Sequence, residues 1–322
     1  MYDTLAPWRE PVRGGHPAPD LAARPGIELL RAMLAQETPA PPLSRLTGMR
    51  PTAFTARSAR FEMPLTGWLC GEDARVPLGV LAIPADAAMA CAIIGGLPAG
   101  VAITTTELAL RQVRPALPGR TLCTEATVQD LGRPMALAEV TLSDDTGALV
   151  ARGGSLCVQL PLAEDGHREA DGTPVPPDPD RDPARGPDPW ERPAPEAGLT
   201  QLTGLRRTAV GDGTAAFALP ATRWLCAPPP GRAQGGAVAM LAGAAMEAAM
   251  QTAAPPGARF VPLELKVNYL RPLASDGREA CARATLIHGG RRTAVARAEV
   301  ADADGRAIAV ASGSALAALP GS

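Results

Sequence analysis

Chemistry on an activated carbonyl needs a base or nucleophile, and N–H donors for the oxygen that becomes negative. This chain offers both, in two separate stretches. Asp86 stands in the apolar run LGVLAIPADAAM, placed to attack a carbonyl directly or to deprotonate a water, the latter worth about 10²–10⁴ in rate. Gln234, Gly235 and Gly236 open GGAVAMLAGAAMEAAM, a small-residue helix whose first N–H groups, aided by the helix dipole, point toward developing negative charge. Glycines let a substrate approach that backbone, and one such donor is worth about 2.7–4 kcal/mol in a transition state. Thr105, in the run Thr104–Thr106, carries a hydroxyl able to orient the attacking water. Each residue also has an ordinary reading: an Asp near a helix start caps or faces solvent, Gly-Gly is a turn, a strand threonine is a β-former, and Gln234 is an exposed structural side chain.

An internal repeat lifts these residues above the ordinary reading. LTGMRPTA at 46–53 returns as LTGLRRTA at 202–209, and the frame Phe61, Pro64, Trp68, Leu69, Cys70 returns as Phe217, Pro220, Trp224, Leu225, Cys226. Glu107, Leu108, Arg114 and Pro115 recur as Glu264, Leu265, Arg271 and Pro272, and Cys123, Gly132, Arg133 and Gly147 as Cys281, Gly290, Arg291 and Gly305. The offset grows only from 156 to 158, so the chain reads as a duplicated domain whose copies pack together. At the helix start the first copy has Pro77, Leu78, Gly79 where the second has Gln234, Gly235, Gly236, and the second has Gly243 where the first has Asp86. Pro77 brings no N–H and Leu78 adds a side chain, so each copy keeps what the other lacks.

The elements that must position these groups follow one plan in each copy. Two short strands lead through Trp-Leu-Cys into a small-residue helix, at 79–94 and 235–251. Four strands follow, near 101–113, 120–130, 134–144 and 148–158, and near 258–270, 279–288, 292–301 and 306–317. ELKVNYLRP alternates as a half-buried strand does, and DDTG and DADG are hairpin turns. The expected domains are an N-terminal arm with a short helix over Pro25–Gln36 (1–40), a first domain (41–162), a Pro/Asp/Arg-rich linker (163–198) and a second domain (199–322). Trp190 in the linker offers the alternative of a lid over a pocket.

The 322 residues, 46% apolar, suffice for two cores, and a net charge of −2 with mixed signs gives no basic face for a nucleic acid. No basic-then-apolar export signal opens the chain. The apolar stretches hold Asp86 and Glu247 and are too short to span a bilayer, so a soluble cytoplasmic protein with no membrane partner is expected. Six cysteines without a CxxC pair are read as free thiols, and three scattered histidines predict no metal site.

The order strand, Trp-Leu-Cys, Gly-Gly, small-residue helix, ELKVNYLRP, GRRTAVARAEV, DADG, present over about 42–160 and 198–318, resembles the hotdog-fold acyl-CoA thioesterases of the phenylacetate-degradation type. The resemblance implies an α+β double hotdog, each half a long helix wrapped by a curved antiparallel sheet. That family carries His-Gly-Gly at the helix start and an acidic residue nine positions on; here Gln234 replaces the His. It implies a thioester hydrolase without cofactor, CoA being part of the substrate, working at one composite site built from Asp86, Gly235, Gly236, Gln234 and Thr105, with the mirror site of Pro77, Leu78 and Gly243 dead. It also implies that a homodimer of double hotdogs is an allowed assembly. Glu247 is a candidate pocket residue, and Arg114, Arg271, Arg291 and Arg292 are candidates for CoA phosphates. A non-catalytic acyl-CoA binding protein is the alternative, whereas a hydratase needs a histidine that neither helix region holds.

Overall fold

The computed structural model describes residues 6–162 and 186–318. Its helices are α1 (Pro19–Ala22), α2 (Gly26–Leu34), α3 (Pro42–Thr47), α4 (Leu78–Ile94), α5 (Gly198–Thr203) and α6 (Gly235–Gln251). The first copy supplies β1 (Arg50–Phe54), β2 (Ser58–Pro64), β3 (Val101–Gln112), β4 (Thr121–Leu131), β5 (Met135–Asp144) and β6 (Leu149–Pro161). The second supplies β7 (Arg206–Gly211), β8 (Thr214–Pro220), β9 (Arg259–Tyr269), β10 (Glu279–Gly289), β11 (Thr293–Ala301) and β12 (Ala307–Ala318). The expected helices and strands are all present, with ends moved by a few residues at most.

All twelve strands form one sheet in the order β1-β2-β4-β5-β6-β3-β9-β12-β11-β10-β8-β7. The halves are mirror images in sequence order and join where β3 pairs antiparallel with β9, from Glu107↔Asn268 to Arg111↔Glu264. Lys266–Glu107 (3.2 Å) and Arg111–Glu264 (3.4 Å) cross this seam. Alternation along each strand turns one face inward: in β5, Ala136, Ala138, Val140 and Leu142 are buried. That face packs α4 against β2, β4 and β5, and α6 against β8, β10 and β11. The architecture is the α+β double hotdog.

Small residues let α4 and α6 lie backbone to backbone at the centre. A Cβ added to Gly236 would sit 2.5 Å from Ile83 Cα, and one added to Gly79 would sit 2.9 Å from Met240 Cα. Van der Waals contact between helix backbones leaves no room for either atom. This close crossing carries the start of α6 to the flank of Asp86 on α4.

The ends of the arm and linker depart from the sequence reading. Residues read there as an extended arm hold a 3-10 turn at Pro7–Arg9 and helix α1, and Arg13 is buried. Of the 163–198 segment, 163–185 lie outside the described residues, while 186–198 hold a second 3-10 turn at Pro189–Glu191 and the start of α5. APWREP (6–11) and DPWERP (188–193) are themselves a repeat, and each packs on the other copy. Trp8 covers Gly204 and Trp190 covers Gly48, glycines at φ +77 and +76 whose Cβ would lie 2.9 and 2.7 Å from the indoles. Trp224 Nε1 donates to the Glu10 carbonyl (3.1 Å) and Trp68 Nε1 to the Arg192 carbonyl (2.7 Å). Glu10 and Arg192 join the two arms through two charge-assisted hydrogen bonds of 2.5 and 2.9 Å. Trp190 is therefore an anchor of this exchange, packed on Gly48 and Pro64.

Candidate active site

Asp86 lies in the third turn of α4 and is 5% exposed. Pro84 sits inside the same helix, which continues through it to Ile94. One carboxylate oxygen, Oδ2, accepts the N–H of Gly236 at 3.2 Å, across the contact between the two copies. The other, Oδ1, accepts the hydroxyl of Thr105 at 3.1 Å. Thr105 is aimed there from β3 at a bulge, where the pairing with β6 slips between Thr105 and Glu107. Thr105 Oγ1 in turn receives the thiol of Cys157 on β6 at 3.7 Å, so a chain of donors runs from Cys157 through Thr105 to the carboxylate. Burial pushes Asp86 up to about 6, while the Thr105 hydroxyl and the amides of Gly236 and Gly235 pull it back down. An acid poised near neutrality and held by donors of a partner domain is the arrangement a general base or nucleophile needs.

Gln234 caps α6 and is buried. Its Nε2 donates to the Ile83 carbonyl of α4 at 3.1 Å, which fixes the amide's orientation. Its Oε1 has no hydrogen-bond partner among the described residues, a buried acceptor at the helix start. Where the sequence leaves open an exposed Gln, the structure places it inside. The two glycines differ. The missing side chain of Gly236 is taken up by α4, whereas a Cβ on Gly235 would face Asp86 Oδ2 at 3.1 Å and the Tyr269 ring at 3.3 Å. The structure thus brings Asp86, Thr105, Gln234, Gly235 and Gly236 together.

Two neighbours have no counterpart in the sequence reading. Tyr269, at the end of β9, donates its hydroxyl to the Gly235 carbonyl at 2.9 Å. Cys157 stands behind Thr105. At the repeat offset Tyr269 of the second copy matches Gln112 of the first, as Thr105 of the first matches Pro262 of the second, and such a side chain held by one copy alone was the available signal.

The mirror end holds Pro77, Leu78, Gln112 and Pro262 around a cleft, and no carboxylate at Gly243, which faces Gly79 instead. Glu247, one helical turn beyond Gly243, lines this cleft and pairs with Arg259 (3.5 Å), which also holds Asp73 (2.5 Å). Burial pushes Glu247 up to about 7, against the pull of Arg259. Glu247 thus belongs to the mirror end and not to the Asp86 site. Arg114 and Arg271 donate to the carbonyls of Leu149 and Ala307 at equivalent strand ends, and Arg291 and Arg292 are exposed beside the β10–β11 turn.

Residues 79–151 and 231–309 match the thioesterase superfamily, one segment in each copy. The fold is similar to that of the tesB protein of Mycobacterium avium subs paratuberculosis (TM-score 0.55, 14% identity, covering 86% of this chain and 98% of that one). It is also similar to acyl-CoA thioesterase II TesB2 of Mycobacterium marinum (0.55, 10% identity, 87% and 99% covered). A hot dog fold protein of Alicyclobacillus acidocaldarius is a third (0.56, 17% identity, 86% and 98% covered). No curated protein sequence matches. Among the described residues no helix is long and apolar enough to cross a membrane. With a thioesterase-superfamily segment matched in each copy and the architecture shared over most of the chain, this protein is a tandem double hotdog that is similar to the thioesterase superfamily.

Proposed function

We propose that the chain hydrolyses an acyl-CoA thioester to the free acid and CoA, at one composite site made by Asp86 and Thr105 of the first copy and Gln234, Gly235 and Gly236 of the second. The observation that carries this reading is the 3.2 Å contact between the Asp86 carboxylate and the Gly236 N–H of the other copy. It joins an acid to helix-start donors that neither copy has alone.

A thioester carbonyl placed at the start of α6 shares the Gly235 and Gly236 N–H groups with the carboxylate as negative charge grows on its oxygen. Above pH about 6 Asp86 is ionised. As a base it takes a proton from water while the hydroxide oxygen adds to the carbonyl carbon; the tetrahedral adduct then collapses, the C–S bond breaks and the proton passes to the departing thiolate. As a nucleophile it forms an acyl-carboxylate anhydride with loss of the thiolate, and water then cleaves the anhydride. Thr105 steers the carboxylate in either route, and the unpartnered Oε1 of Gln234 is a ready acceptor for water. The reaction needs no cofactor beyond the CoA of the substrate.

The experiment is thiol release from a panel of acyl-CoAs. Wild type is expected to turn over with a rate that rises through about pH 6, and Asp86→Asn to lose about 10² or more of it. Asn keeps the shape and accepts from Gly236 while donating to Thr105, so the fold survives the change. Saturable binding of acyl-CoA with no thiol released by wild type would instead mark a binding protein.

A further inference from the structure

We propose that Tyr269 is a positioning residue: its hydroxyl clamps the Gly235–Gly236 peptide so that the Gly236 N–H stays on Asp86. A peptide unit is planar, so the C=O of Gly235 and the N–H of Gly236 turn together. Tyr269 holds the oxygen edge at 2.9 Å and Asp86 holds the nitrogen edge at 3.2 Å. Glycine on both sides leaves no side chain to restrain this unit. A hydrogen bond at the oxygen also polarises the peptide and strengthens the N–H as a donor. The clamp exists only where the acid exists: at the mirror end Gln112 stands in place of Tyr269, and Gly243 in place of Asp86.

The groups that face Asp86 are the Thr105 hydroxyl from β3, the Gly235 and Gly236 amides from α6, Cys91 on α4 itself, Cys157 from β6 and Tyr269 from β9. Burial pushes the thiols of Cys157 and Cys91 up to about 11 and about 12, and lifts Tyr269 well above the ordinary phenol value. These three stay neutral at neutral pH, which leaves Asp86 as the group among them that changes charge near pH 6. Loss of the clamp weakens the N–H on the carboxylate, favours the protonated acid and moves its titration to higher pH.

As a part of catalysis this role rests on the hydrolase reading, whereas as control of Asp86 it does not. The test is a carbon-13 NMR titration of the Asp86 carboxyl in the full chain, assigned by its loss in Asp86→Asn, beside the pH profile of acyl-CoA hydrolysis. Tyr269→Phe keeps the ring and removes the hydroxyl; Tyr269→Leu is a second variant should the first fold poorly. The expected result is a carboxyl midpoint raised by roughly half a pH unit or more. The acid limb of kcat follows it, kcat at pH 6 falls about twofold or more, and KM holds. An unmoved midpoint overturns the proposal, whatever happens to the rate. A raised midpoint in a wild-type protein that releases no thiol upholds the clamp and removes the hydrolase reading instead.

Discussion

Two adjacent glycines at the start of α6 do different work. At Gly236 an added Cβ would meet Ile83 Cα at 2.5 Å and the Ala82 carbonyl at 2.6 Å, all backbone and unable to give way. At Gly235 it would meet the Asp86 carboxylate and the Tyr269 ring at 3.1 and 3.3 Å, both ends of side chains. Gly236→Ala is therefore expected to cost about 1–3 kcal/mol of stability by overpacking the helix crossing. Gly235→Ala is expected to fold, with a melting temperature near that of wild type, but to lose about tenfold or more in thiol release, since it displaces the carboxylate. Gly79→Ala probes the same point from the mirror end: its Cβ would lie 2.9 Å from Met240 Cα, so it is expected to destabilise and, on the proposed reading, to leave thiol release by the folded protein intact. Thermal denaturation beside the thiol assay separates the three. Equal melting temperatures for Gly235→Ala and Gly236→Ala would count against this division.

Among the elements, the exchanged arms make each copy depend on the segment that precedes the other. Removing the Trp8 indole uncovers Gly204 and the neighbouring Pro220, and removing Trp190 uncovers Gly48 and Pro64. Each Trp→Ala change is expected to cost about 2 kcal/mol. Hydrogen exchange gives the sharper readout: Trp8→Ala should expose amides around 202–205 in the second copy, and Trp190→Ala those around 46–49 in the first. Loosening confined to the copy that follows each arm would refute the exchange. Most elements were legible in the sequence because each is written twice, with alternation in the strands and Ala/Gly content in the helices. The arms were not, because PWREP and PWERP are short and α1 and α2 intervene after the first, which stretches the offset from 156 to 182. Within the site, Asp86 and the Gly pair could be read from what each copy had lost. Tyr269 shows in the sequence only as a mismatch with Gln112 at the repeat offset, since its role arises when β9 lies over the start of α6, a tertiary fact with no local pattern.

For the whole molecule, one protein carries a buried acid, Asp86, and a half-buried one, Glu247, one at each end of the α4–α6 contact, and both hold their protons more tightly than an unfolded chain does. Burial raises Asp86 from an ordinary 3.8 to about 6 and Glu247 from 4.5 to about 7. A group whose proton is bound more tightly in the folded state stabilises below its unfolded value, and that stability is lost as pH rises through the folded value. Both acids therefore favour the fold near pH 4 and withdraw support between about pH 4 and 7. For Asp86 the loss is roughly 3 kcal/mol. For Glu247 it is of the same order but smaller in effect, because about a quarter of its side chain meets solvent (27%) and Arg259 lies beside it. The ionised Asp86 that the proposed hydrolysis requires is thus the less stable form of the protein. Asp86→Asn and Glu247→Gln, neutral at every pH, should melt progressively higher than wild type as the buffer moves from pH 5 to pH 8, with the two gains adding because the sites lie at opposite ends. Opposing acids such as Asp144, Asp276 and Asp304, whose partners lower them, are common to all the variants and cancel in the difference. Melting curves for wild type and Asp86→Asn that stay parallel from pH 5 to pH 8 would mean that Asp86 is not held protonated by the fold, and the acid limb of thiol release expected near pH 6 would go with it.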